Sequence, residues 1–180
     1  MDENSSPNRR IKRTFAFLDL SGFTHFTNKE GDEAAMELLI GFRESVRRVA
    51  SLRGVRIAKW LGDGAMLVGV EAEETVEAVI AMEGLVDFSQ SPLPMRAGIA
   101  EGYVLLIDGD DHVGAPVILA SRLCDLAEPH QVLAPAELVI KLMANTAARK
   151  IGLRSLDGFS NPIEVVQLSS LEKFKNHGEQ

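Results

Sequence analysis

Two aspartates carry the plainest chemical signal in this chain. Asp19 lies within the run Phe15-Ala16-Phe17-Leu18-Asp19-Leu20, whose apolar density predicts a buried strand. A carboxylate there is costly unless it is paired, hydrogen-bonded or bound to a metal. Capping of the following Ser21-Gly22 turn is the competing explanation. Asp63 lies in Gly62-Asp63-Gly64, a tight hairpin signal in which aspartate also serves as ordinary turn chemistry. As a pair the two are more informative. Carboxylates at neighbouring strand ends repel each other, and shared cations are a standard relief. Mg²⁺ takes few protein carboxylates and fills its shell with substrate phosphates.

Four cationic or acidic positions surround this pair in the sequence. Lys59 lies four residues before Asp63, Arg96 opens an apolar strand-like segment, Asp111 ends the acidic turn Asp108-Gly109-Asp110-Asp111, and Arg122 lies on a helical segment. Each has a plain alternative: a strand lysine reaching solvent, a strand-edge arginine, a solvated turn, and a surface ion pair on a helix.

The elements that must position them follow from periodicity. Residues 14–20 read as a central strand. Asp32 and Glu33 open a helix whose Ala35, Leu38, Leu39, Phe42, Val46 and Val49 recur at helical spacing, with Gly54 closing it. Strands are predicted over 55–61 and 65–70, a helix over 71–88 ended by Ser91-Pro92-Leu93-Pro94, and a strand over 95–107. A helix with Pro116 in its first turn covers 115–128, Pro135 opens a fourth helix, and two short strands flank Gly158. The order β-α-β-β-α-β with later additions predicts an α+β fold, its helices packed on one face of a mainly antiparallel sheet. The domain is assigned to residues 14–170, between a polar, basic lead-in over 1–13 and a polar tail over 171–180.

The bulk numbers narrow the partners. The 180 residues carry a net charge of −7, with 46 % hydrophobic and 25 % charged residues and a pI near 5.1. An acidic surface without an aromatic-basic strand motif argues against nucleic acid and anionic membranes. The single cysteine, Cys124, fits a reducing compartment, and there is neither a signal-peptide core nor an apolar run of membrane-spanning length. The expectation is a cytoplasmic protein.

The run Phe17-Leu18-Asp19-Leu20-Ser21-Gly22-Phe23-Thr24 resembles the first metal motif of class III adenylate and guanylate cyclases, and Lys59-Trp60-Leu61-Gly62-Asp63-Gly64 resembles the second. Met95-Arg96-Ala97-Gly98-Ile99 is similar to the family's Arg-x-Gly-Ile strand, with Ala100 where a histidine is common. The segment ending Ala120-Ser121-Arg122-Leu123 is similar to the helix bearing its transition-state residues. The four occur in order and at family spacing over residues 14–168.

The resemblance implies a ferredoxin-like βαββαβ core with C-terminal additions, and active sites shared across a head-to-tail homodimer. It implies that Asp19, Asp63 and the Leu20 carbonyl hold two divalent cations, Mg²⁺ or Mn²⁺. Arg122 would stabilise transition-state charge, Arg96 would hold the terminal phosphates, and Lys59 with Asp111 would read the base. A lysine donor facing purine N1 and a carboxylate accepting from the 6-amino group suit adenine, so the implied substrate is ATP and the product cyclic AMP. Two positions depart from the family pattern. Ile118 replaces an asparagine that reaches the ribose, and Asp157, in Leu156-Asp157-Gly158-Phe159, replaces a phosphate-binding lysine, with Lys150 or Arg154 as compensating cations. Like charges near 4 Å repel by about 4 kcal/mol at an effective dielectric of about 20. These departures imply a weakened adenylate cyclase. The alternative is a non-catalytic nucleotide-binding module that regulates a partner through dimerisation.

Overall fold

The computed structural model describes residues 10–107, 111–141 and 145–173. Its centre is β1 (Arg10–Leu20), which begins four residues before the expected boundary at 14. The extension is anchored on β4 (Met95–Ile107), where Lys12 bridges Glu101 at 3.2 Å. Residues 10–13 therefore belong to the sheet rather than to a lead-in.

After β1 come α1 (Phe23–Glu30), α2 (Asp32–Arg53), the hairpin strands β2 (Arg56–Leu61) and β3 (Gly64–Gly69), and α3 (Ala72–Phe88). Beyond β4 lie β5 (Asp111–Val113), α4 (Ala115–Leu126), β6 (Val132–Pro135), β7 (Thr146–Arg154) and β8 (Ile163–Ser170). Pro135 is followed by a 3₁₀ segment, Ala136–Lys141, instead of a fourth α-helix. The sheet runs β2-β3-β1-β4-β6-β8-β7, with β5 folded back on β4. Its first four strands are the ferredoxin-like core. The β4–β6 pair is parallel and the others are antiparallel.

The strand pleat separates two apolar layers. Ala16, Leu18 and Leu20 of β1, with Ala97 and Ile99 of β4, pack against Val46 and Val49 of α2 and Val76, Val79 and Met82 of α3. The alternate residues Phe15, Met66, Val68, Ala100 and Val104 face Ala120 of α4. The helices thus lie on both faces, correcting the one-face expectation. Gly98 permits this: a Cβ there would strike the Ala120 carbonyl and the Cys124 amide. The bare backbone lets α4 settle directly on β4.

The chain end also differs from expectation. Residues 171–173 form a helical turn, and Lys173 Nζ donates to both carboxylate oxygens of Glu83 on α3; the rest of the expected tail, 174–180, lies outside the described residues.

Candidate active site

The hairpin tip is pinned to the end of β1. The Leu20 amide donates to the Asp63 carbonyl at 3.3 Å, and the Ser21 amide donates to the Pro94 carbonyl at 2.9 Å. Asp19 lies across from Gly64 on one side and Arg96 on the other. Gly64 allows the close approach, because a Cβ there would meet the Leu18 carbonyl. Asp19 and Asp63 are thereby brought within hydrogen-bonding reach of each other. Partial burial, and then the charge of Asp19, push the Asp63 carboxyl above the ordinary carboxylate range.

Arg96 sits on the same carboxylate. Its Nε and Nη2 donate to Asp19 Oδ2 at 2.9 and 2.7 Å. Its Nη1 donates to the carbonyls of Asp125 and Ala127 at the end of α4, at 3.2 and 3.3 Å. A guanidinium is suited to bridging such a set because its donors are fixed in a planar fork. Arg96 therefore ties the first carboxylate to α4 within one chain. Nearby, burial and then Asp19 push the Cys124 thiol up to about 12, so it stays protonated and is a poor nucleophile.

Lys59 and Asp111, far apart in sequence, meet: Lys59 Nζ lies 2.5 Å from Asp111 Oδ1. The pairing of β5 with β4 sets Asp111 near the β2 lysine, and Lys59 holds the Asp111 carboxyl below its usual range. Both side chains remain more than half exposed, at 53 % and 59 %. Lys59 pairs in register with Met66, a residue of the α4-side layer, so it projects to that face. Asp19 shares the parity of Phe15 and Phe17 and projects the same way. The carboxylate pair, Lys59 and Arg122 of α4 are therefore gathered on one face of the sheet, while α2 and α3 pack on the other.

The chain as a whole is similar in sequence and fold to known proteins. No protein-family model matches the chain. It is 35 % identical over 152 residues to an uncharacterized protein of Mycobacterium tuberculosis, aligning 84 % of this chain. It is 31 % identical over 132 residues to an adenylate cyclase of Streptomyces coelicolor, aligning 73 % of this chain. The alignments take in 40 % and 34 % of those proteins, so the chain spans less than half of their length. Among solved structures, the adenylyl cyclase CyaB from P. aeruginosa superposes with a TM-score of 0.81 at 27 % identity, covering 89 % of this chain and 94 % of that one.

The chain belongs to the class III nucleotide cyclase family.

The guanylate cyclase domain of RhGC from Catenaria anguillulae, solved in complex with GTP, has the same fold at 17 % identity, with a TM-score of 0.80 and 90 % of this chain covered. Within this cyclase domain the two departures now have positions. Ile118 is half-exposed on α4, one turn before Arg122. Asp157 stands beside Arg122. Arg122 Nε donates to the Asp157 carbonyl at 3.3 Å, and its Nη2 lies 3.6 Å from Asp157 Oδ2. Asp125 adds a second carboxylate, 3.7 Å from Arg122 Nη1. Lys150, one of the two cations considered as compensation, is engaged by Glu164 at 2.9 Å. Arg154 donates to the Leu153 carbonyl at 2.9 Å.

Sequence reasoning missed the contacts Arg96–Asp19 and Arg122–Asp157. They join residues 77 and 35 positions apart, and no local pattern encodes such separations. The only available signal was the strand parity that sets Arg96 and Asp19 on the same face. No helix among the described residues is long and apolar enough to cross a membrane.

Proposed function

We propose that this domain is an adenylate cyclase, converting ATP to cyclic AMP and pyrophosphate by in-line attack of the ribose 3′-oxygen on the α-phosphorus. The observation that carries this reading is the Asp19–Asp63 pair, two carboxylates held within hydrogen-bonding reach at adjacent strand ends. Their crowding, and the raised Asp63 carboxyl, fit a donor set built for hard cations. Asp19, Asp63 and the Leu20 carbonyl would hold two Mg²⁺ or Mn²⁺ ions, which supply Lewis-acid charge at the 3′-oxygen and the triphosphate.

The remaining work falls to the chain's own residues. Lys59 donates to purine N1, and Asp111 accepts from the 6-amino group. Their existing contact keeps donor and acceptor side by side for the base. Arg122 places positive charge against the phosphate as charge builds there. Arg96, which donates to Asp19 within the chain, would hold the terminal phosphates once Asp19 was engaged by a bound cation. The 3′-hydroxyl proton leaves to solvent, the new 3′-oxygen–phosphorus bond forms, and pyrophosphate departs with the electrons of the broken phosphoanhydride bond.

We place the complete site between two copies arranged head to tail, with the metal carboxylates from one and Lys59, Asp111 and Arg122 from the other. Exposed Leu106, which shares the β4 parity of Ala100 and Val104, and exposed Ile118 on α4 support an interface on the site's face. The two cavities described in the single chain lie elsewhere and include none of the site residues.

A second reading, a regulatory dimerisation module without catalysis, is favoured by the Arg122–Asp157 contact and by Ile118. Incubating the purified protein with Mn²⁺ and either ATP or GTP separates the two. Cyclic AMP from ATP, abolished in folded Asp19→Ala and Asp63→Ala variants, is the expected outcome. No cyclic product from either nucleotide would establish the module.

A further inference from the structure

A second cluster of metal-type donors lies away from the site just described, where α3, the α4–β6 connection and the end of the described chain converge. Its centre is Glu83, a carboxylate that is only 4 % exposed. A charge so placed must be met by cations or strong donors. Lys173 Nζ contacts both Glu83 oxygens, at 2.9 and 2.8 Å. His130 Nδ1 lies 3.0 Å from Glu83 Oε1. One helical turn along α3, Asp87 completes the group, with Oδ1 4.0 Å from His130 Nδ1 and Oδ2 3.7 Å from Lys173 Nζ.

We propose that Glu83, Asp87 and His130 form a second divalent-cation site, of the zinc class, in which the Lys173 ammonium holds the place of the ion until the ion displaces it.

Three features support this site. The first is spacing. The donor atoms of the three residues all lie within 4.8 Å of one another. Ligands about 2.1 Å from a tetrahedral zinc stand about 3.4 Å apart, and the observed 3.0 and 4.0 Å separations bracket that value. Lys173 Nζ touches both carboxylates, so positive charge is already accommodated at their meeting point. The second feature is preorganisation. His130 has φ of +66°, in the left-handed region that residues other than glycine seldom occupy. Its amide donates to the Met95 carbonyl at 3.0 Å, which fixes the strained turn that presents Nδ1 to Glu83. The third is access. The His130 side chain is 47 % exposed. Glu83, His130 and Lys173 also line a cavity of about 400 Å³ with Arg149 and Gln167, giving a hydrated ion a route in.

The donor chemistry selects the ion. One imidazole with two carboxylates suits Zn²⁺ and its neighbours, whereas Mg²⁺ prefers an all-oxygen octahedral shell. The site therefore differs in kind from the Asp19–Asp63 pair, which offers oxygen alone. Binding exchanges one internal cation for an external one and releases Lys173, which otherwise ties the turn after β8 to α3.

The experiment titrates Co²⁺, a spectroscopic substitute for zinc, into the full chain carrying Asp19→Ala and Asp63→Ala, so that those carboxylates do not contribute. One Co²⁺ per chain is expected, with visible d–d bands of a tetrahedral nitrogen–oxygen site that Zn²⁺ abolishes and excess Mg²⁺ does not. Adding His130→Ala should weaken binding by at least about tenfold. Adding Lys173→Met removes the competing cation without touching a ligand and should tighten binding severalfold. Absence of Co²⁺ binding overturns the proposal, as does binding unchanged by His130→Ala in a folded protein. If His130→Ala does not fold, Lys173→Met decides: binding that fails to tighten refutes the internal-cation role.

Discussion

Arg122, the proposed transition-state cation, rests against Asp157 in this domain, and neutralising that aspartate should accelerate cyclic AMP formation. The Arg122 Nη2 to Asp157 Oδ2 separation is 3.6 Å, and the Asp157 side chain is 92 % exposed. Solvent on all sides sets the relevant dielectric near that of water. Coulomb's law then gives an attraction of about 1 kcal/mol, at the upper end of what exposed ion pairs contribute. If Arg122 must leave Asp157 to reach the phosphate, that attraction is lost on the way to the transition state. Removing it should raise kcat by up to about fivefold. Asp157→Asn is the appropriate change, because it removes charge while keeping shape and leaves the backbone carbonyl bonded to Arg122 Nε. The assay is the initial rate with Mn²⁺ and saturating ATP at low ionic strength, repeated at rising salt. The variant's advantage should shrink as salt screens the pair in the wild type. An equal or lower rate for folded, dimeric Asp157→Asn at low salt would refute the argument, because Arg122 would then not be restrained by this charge.

Three other outcomes are expected. Mixing inactive Asp19→Ala with inactive Arg122→Ala should recover activity, since a head-to-tail heterodimer rebuilds one site from the intact halves; failure despite demonstrated subunit exchange would dismiss the shared site. Lys59→Glu combined with Asp111→Cys should move preference from ATP toward GTP, by exchanging donor and acceptor; a folded double mutant with unchanged preference would count against the base-reading pair. In chelator, Asp63→Asn should stabilise the fold relative to the wild type at neutral pH. The folded Asp63 carboxyl is raised above its unfolded value, so the folded state binds its proton more tightly and the wild type loses stability as pH rises from the ordinary carboxylate range through the raised value. Urea unfolding across pH should show the gap opening over that window; a gap independent of pH would contradict the raised carboxyl.

The sequence by itself determined the core elements and singled out the Asp19 and Asp63 carboxylates. Apolar periodicity located the strands around Asp19 and Asp63 and the helices α2, α3 and α4, because each buries a face whose repeat is written locally. It failed where burial is weak or backbone pairing is remote. Helix α1 has no buried residue to reveal it, and β6 is a four-residue strand placed by β4 and β8. The segment after Pro135 has the pattern of a helix but settles as a 3₁₀ turn, and the basic character of Arg10 to Arg13 masks their strand pairing. Only the tertiary structure decided that α4 crosses to the opposite face, that Arg96 settles on Asp19 and Arg122 on Asp157, and that Lys173 returns to Glu83. Helix placement depends on the missing Cβ of Gly98, and each ion pair on two distant charges emerging on one surface. Such proximity is created when the sheet closes, so local sequence carries the residues but not their meeting.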